Sequence, residues 1–247
     1  MLLDLDDTVI VEESHARAQL RATAALVDGV DPASWDEVVI AAARSHWYSS
    51  EYYPVFRKLG IASWEGLWAT FEGSHPVLGG VAVWSCAYRD ATWAAALGEV
   101  SADVGRARVL SGDYVARQRA GHPLVPGAMA TIERLAAHAA VVMVTNGPPD
   151  IQRHKIEQAK IGPYLSAVVV SGELGIGKPD PAGFLHALDL VGTAPENALM
   201  IGDSWERDVE GALACGMRAV WISHDRRAPR HDTRVRVASG LADVPEP

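Results

Sequence analysis

The chain has little that would grip a polyanion or staple a secreted fold. Only four of its 247 residues are Lys, and Asp plus Glu exceed Lys plus Arg by 31 to 22, a net charge of −9. Nucleic acid and anionic membrane surfaces both need clustered positive charge, so neither is expected as a partner. Cys86 and Cys215 are the only cysteines, too few for a disulfide framework, and a reducing compartment is expected. The first residues show no basic region followed by an apolar stretch, and no apolar run approaches the roughly 20 residues that cross a bilayer. The expectation is a cytoplasmic protein without a leader. The rest of the composition, 49% hydrophobic and 21% charged, suits an ordinary globular chain of one large domain or two small ones.

Acidic and polar residues follow apolar runs at four places. Asp4-Leu5-Asp6-Asp7-Thr8 comes directly after Met1-Leu2-Leu3. On an extended segment residues i and i+2 share a face, so Asp4 and Asp6 can lean toward one centre, one carboxylate attacking while the other moves protons. Taken alone, such a junction is also ordinary solvated turn surface. Residues 141–144 then lead into Thr145-Asn146-Gly147, and 168–170 lead through 171–177 into Lys178-Pro179. Residues 199–201 lead into Gly202-Asp203-Ser204, with Asp208 five positions after Asp203. Short β-branched runs closed by Gly and polar residues read as strands of a buried parallel sheet, whose ligands sit beyond the carboxyl ends of the strands. Four strand ends thus offer a carboxylate pair, a hydroxyl and amide, an ammonium, and a second carboxylate pair.

With these residues in this order the chain resembles the haloacid dehalogenase-like hydrolases. Their motifs DxDx[TV], [ST]N after an apolar run, a lone Lys, and GDxxxxD are matched by Asp4–Thr8, Thr145-Asn146, Lys178 and Gly202-Asp203 with Asp208. The likeness spans the core to about residue 225, and the region 144–221 is most similar to the N-acylneuraminate-9-phosphatase branch. The resemblance implies an α/β fold, a Rossmann-like parallel sheet with helices on both faces, and an inserted all-helical cap. It also implies a Mg²⁺-dependent phosphatase acting on a small-molecule phosphate ester, a sugar phosphate or similar metabolite. In that reading Asp4 is the nucleophile that becomes an aspartyl-phosphate, and Asp6 is the acid and base. Asp4, the Asp6 backbone carbonyl and Asp203 would ligate Mg²⁺, with Asp208 acting through water or holding a ligand. Thr145 and Lys178 would meet the phosphate, with Thr8, Asn146 and Gly147 around it. Only three residues precede Asp4, so the first strand is expected to be short.

From about residue 126 strand and helix alternate, as a parallel sheet with right-handed crossovers requires. Residues 14–121 show no such alternation. Stretches 14–27, 35–47, 63–71 and 83–97 read as helices, and Asp31-Pro32 reads as an N-cap followed by Pro in the first turn. The expected division is therefore a core of 1–13 and 122–247 and a cap of 14–121, with hinges near 11–14 and 121–126. Six of the eight Trp fall in the cap and can fill its core, or one or two aromatics near 48–53 can line a pocket. His15 and Arg17, just past the first hinge, are candidates for substrate contact, and equally fit a solvated helix face.

Gly172 to Lys178 imitates the glycine spacing of a nucleotide-binding P-loop, but Pro179 stands where that motif needs a metal-ligating hydroxyl. ATP binding through this loop is rejected. Within the resembled family, dehalogenases and phosphonate-cleaving enzymes lack the second motif-one aspartate, so Asp6 favours phosphate. A phosphomutase would share every core residue. A non-catalytic binding protein would be expected to have lost a charged one, and none is lost.

Overall fold

The computed structural model describes residues 1–223 and 231–245. The expected core range of 122–247 therefore includes residues 224–230 and 246–247, which lie outside the described ones.

Strand β1 (Leu2–Leu3) is followed by five helices, α1 (Glu13–Thr23), α2 (Pro32–Tyr48), α3 (Tyr53–Leu59), α4 (Val81–Glu99) and α5 (Ala107–Arg119). The alternating half then runs α6 (Ala128–His138), β2 (Val142–Thr145), α7 (Pro149–Gln158), β3 (Ala167–Val170), α8 (Ser171–Leu174), α9 (Pro181–Leu190) and β4 (Leu199–Gly202). It closes with α10 (Gly211–Ala214), β5 (Arg218–Ile222) and β6 (Val235–Ala238). The six described strands form one parallel sheet in the order β3-β2-β1-β4-β5-β6, a Rossmann-like α/β fold with a helical insertion. The order reverses at β1, the point at which open α/β sheets place their ligands.

Alternation of side chains explains how two residues suffice for the central strand. Leu3, Met143, Ile201 and Val220 point to one face and pack with Ile132 and Leu135 of α6. Leu2, Val142, Val144 and Met200 point to the other and pack with Phe184, Ala187 and Leu188 of α9. With neighbours on both edges and helices on both faces, β1 is fully buried.

The inserted helices carry their own apolar core, in which Trp35, Trp47, Trp68 and Trp93 are buried with Phe56 and Leu110. Asp31 caps α2, its carboxylate accepting from the Ala33 N–H at 3.0 Å with Pro32 in the first turn. Two expectations differ here. Residues 63–71 form only a single turn at Glu65–Leu67, because the Thr70 and Phe71 N–H groups donate to Asp150 of α7 at 2.6 and 3.1 Å, and Phe71 is left-handed at φ 62°. Helices α3 and α5 form where no periodicity was singled out. The buried residues of α5, Ala107, Leu110, Tyr114 and Gln118, do recur at spacings of three and four.

Candidate active site

The carboxyl ends of β1, β2 and β4 meet at the switch point. Asp4 leaves β1 with its N–H donated to the Ile201 carbonyl at 3.0 Å, which holds it beside β4. The Thr8 hydroxyl donates to Asp4 Oδ2 at 3.1 Å, and Lys178 Nζ donates to Asp4 Oδ1 and to Asp208 Oδ1, each at 2.6 Å. The loop carrying Lys178 is set by Asn146, which accepts from the Lys178 N–H at 2.8 Å and donates to its carbonyl at 2.9 Å. The Trp221 indole donates to the Asp203 carbonyl at 2.7 Å and steadies that loop. Between Ser204 and Glu210 the chain makes a wide π-helical turn, and Asp208 Oδ2 accepts from the Ser204 N–H at 3.0 Å.

The charges do not balance. Asp4, Asp203 and Asp208 each offer a carboxylate oxygen within 4.8 Å of the others. Burial, together with repulsion from Asp4, Asp208 and Asp7, pushes the Asp203 carboxyl up to about 8. Burial raises Asp208 to about 6 despite Lys178. Burial alone would lower the Lys178 ammonium, but Asp208 and Asp4 hold it above its ordinary value. An all-oxygen cluster with surplus negative charge fits a hard divalent cation such as Mg²⁺.

Asp6 sits in a second environment. Its Oδ2 accepts from Gln152 Nε2 at 2.7 Å and its Oδ1 from Lys155 Nζ at 2.9 Å. Gln152 Nε2 also lies 2.6 Å from the Thr145 hydroxyl, so it joins β2 to the Asp6 loop. Burial raises the Asp6 carboxyl, with Lys155 opposing. A small cavity of about 30 Å³ is bounded by Asp4, Asp6, Thr145, Asn146, Lys178 and Asp208, with Ser204 and Arg207 completing it. It holds a water or two but not a whole ligand, and the inserted helices pack against the loops beside it. The seating contacts include Gly177 N–H to the Lys58 carbonyl at 3.2 Å and Ser171 Oγ to the Leu59 carbonyl at 2.7 Å.

Five candidates from the sequence are placed elsewhere than on this cavity, Asp203 among them on the neighbouring groove. Thr8 is fully buried behind Asp4 and spends its hydroxyl there. The Gly147 N–H is taken by Ser171 Oγ at 2.9 Å. His15 packs at a tilt against His122 with ring centroids 4.7 Å apart. Arg17 is held by Asp36 at 2.9 Å and Glu13 at 3.1 Å, and lines a separate groove of about 900 Å³ that passes Asp203. Nor does any Trp or Tyr of the inserted helices reach the cavity wall. Gln152, Lys155 and Arg207 were not anticipated. Gln152 and Lys155 stand three apart on the helix that leaves Thr145-Asn146, a spacing that puts both on one face, and this was the available signal.

A family model of haloacid dehalogenase-like hydrolases matches residues 1–216. A phosphoserine phosphatase of Thermus thermophilus is 38% identical over 230 residues, covering 92% of this chain and 89% of that protein. The N-acylneuraminate-9-phosphatase of Mus musculus is also 38% identical, but over 101 residues, 40% of this chain and 41% of that one. A structure of the hydrolase YfnB from Bacillus subtilis bound to magnesium superposes with a TM-score of 0.60 at 21% identity, covering 92% of this chain and 89% of that one.

Proposed function

The chain belongs to the haloacid dehalogenase-like hydrolases, and from that premise we propose that it is a Mg²⁺-dependent phosphatase of small polar phosphomonoesters working through an aspartyl-phosphate. The observation that carries this reading is the unlike treatment of two carboxylates two residues apart. Asp4 is gripped by Lys178 and Thr8 at the acidic cluster, while Asp6 is held by Gln152 and Lys155 in a setting where burial raises its carboxyl against the pull of Lys155. Carboxylates whose environments differ in this way divide into distinct roles.

An Asp4 oxygen forms a bond to phosphorus while the ester P–O bond breaks. The electron pair goes to the departing alkoxide oxygen, which takes the Asp6 proton. Water then attacks the phosphorus and gives a proton back to Asp6 as the bond to Asp4 breaks, releasing inorganic phosphate and restoring the Asp4 carboxylate and the Asp6 acid. Lys178, between Asp4 and Asp208, orients the Asp4 carboxylate and offers charge to the phosphoryl oxygens, toward which the Thr145 hydroxyl also faces. Asp4, Asp203 and Asp208, with the Asp6 carbonyl, would hold Mg²⁺, which supplies positive charge to the non-bridging oxygens. Residues 14–121 serve as a cap over a core of 1–13 and 122–247.

As to substrate, one relative that spans nearly the whole chain is a phosphoserine phosphatase, whereas the N-acylneuraminate-9-phosphatase matches less than half of it. Phosphorylated amino acids therefore join sugar phosphates at the head of the candidates. The test is phosphate release from p-nitrophenyl phosphate and a panel of alkyl phosphates with and without Mg²⁺. Release that needs the cation is expected, Asp4→Asn abolishing it. With p-nitrophenyl phosphate, whose leaving group needs no proton, Asp6→Asn should accumulate a phosphoenzyme that hydrolyses about 10²–10⁴-fold more slowly. No release from any ester would end this reading.

A further inference from the structure

Lys155 holds Asp6 but is not part of the cavity wall. Its ammonium is buried and meets three carboxylates from three separate stretches of chain. Asp6 Oδ1 is 2.9 Å away, Glu12 Oε2 3.1 Å and Glu65 Oε1 3.7 Å. Glu12 stands where the chain leaves the core for the inserted helices. His122, whose Nε2 is 3.0 Å from the same Glu12 oxygen, stands where it returns. Glu65 belongs to the inserted region, as does Trp68, whose ring lies 5.9 Å from the ammonium. The Glu65 carboxylate is itself aimed by the Ala62 N–H, donated to its Oε2 at 2.7 Å. One cation thus joins Asp6, both crossings between the two parts of the molecule, and the insertion.

A buried ammonium without partners is very costly, so this arrangement is over-determined and rigid while all three acids are in place. With Gln152 on Oδ2 and Lys155 on Oδ1, the Asp6 side chain has one orientation available. Lifting the insertion withdraws Glu65 and Trp68 from Lys155 and loosens one of those two holds.

We infer that Lys155 is a positioning residue for Asp6, and that Glu65 makes its hold on the acid depend on the cap being seated. The inference rests on the phosphatase reading above. It means that proton delivery to the leaving alcohol is in place only in the closed molecule, over a bound ester.

Leaving-group dependence separates this role from a structural one. An alkoxide needs the Asp6 proton to depart and nitrophenolate does not, and kcat/KM reports only the steps up to that departure. For Lys155→Met, kcat/KM is expected to fall about 100-fold or more on an alkyl phosphate that the wild type hydrolyses, but about fivefold or less on p-nitrophenyl phosphate. Glu65→Gln keeps the side-chain volume and an acceptor for the Ala62 N–H. It should show the same bias more weakly, about tenfold on the alkyl ester alone. Where Lys155→Met does not fold, the Glu65→Gln ratio decides by itself. Equal losses on the two esters, or none, overturn the inference. A wild-type protein that releases phosphate from neither ester sinks the phosphatase reading instead.

Discussion

Lys155 and Lys178 are both buried ammonium groups held by carboxylates, yet only Lys178 could be picked out from its neighbours in sequence. A Lys between Gly177 and Pro179 after a β-branched run stands at a strand end. A Lys in Gln152-Arg153-His154-Lys155 looks like the solvated face of a helix, and the acids that bury it come from positions 6, 12 and 65. Arg207 was passed over for a related reason, since it lies in the unspecified middle of Gly202–Asp208. Its guanidinium is pinned by Ser204 Oγ at 3.2 Å on the edge of the cavity, and Asp4, Asp208 and Asp203 offset its burial and raise it. It is the charged group nearest to solvent there. Arg207→Gln should raise KM for phosphate esters about tenfold with a smaller change in kcat, the loss of one charge-assisted contact. Steady-state kinetics checks this, and an unchanged KM would remove Arg207 from substrate capture.

Among the elements, the strands were the most legible, because runs of Val, Ile and Met closed by Gly or Asn admit few other readings. The first strand is as short as Asp4's position requires, and β6 escaped notice because Arg236 interrupts it and its Val235 and Val237 are incompletely buried. The helices of the insertion were harder. Their aromatic residues face each other across several elements, so periodicity along any one of them is blurred. The seating of α3 turns on Gly60, which ends that helix at φ 68° and lies where a Cβ would overlap the Asn146 side chain. Gly60→Ala should cost about 1–3 kcal/mol in denaturant unfolding and lower kcat as well, since Asn146 brackets Lys178. Gly29 shares the left-handed conformation at φ 76° but has no atom within 4 Å of a built Cβ. Gly29→Ala should lose stability and keep activity. Equal kinetics for the two variants would refute the docking role of Gly60.

At the scale of the molecule, three of the acidic residues, Asp4, Asp203 and Asp208, converge at the end of the sheet. Asp203 at about 8 and Asp208 at about 6 lie above the ordinary carboxylate range, so between about pH 4 and pH 8 the folded protein keeps protons that the unfolded chain has released. Their contribution to stability is complete below that window and is lost as pH rises through 6 and then 8. Burial pushes His15 down, which works in the opposite direction near neutrality, so the change on adding Mg²⁺ is the informative quantity. A cation must displace those protons, and its apparent affinity should climb with pH by up to about tenfold per unit for each proton released. The unfolding midpoint is expected to rise more on adding Mg²⁺ at about pH 8.5 than at about pH 5.5, and Asp203→Asn should flatten the difference. A shift independent of pH would mean the cluster does not bind the ion. By itself the sequence determined the parallel sheet and the acids, hydroxyl and ammonium that follow its strands, because continuous β-branched runs and the polar residues that close them are local properties of the chain. Only the tertiary structure decided that His15 and Arg17 turn away from the cavity, that Gln152 and Lys155 hold Asp6, and that Glu65 reaches across to join them. Those contacts join residues up to 149 positions apart, and no local spacing encodes a distance closed only when two layers pack.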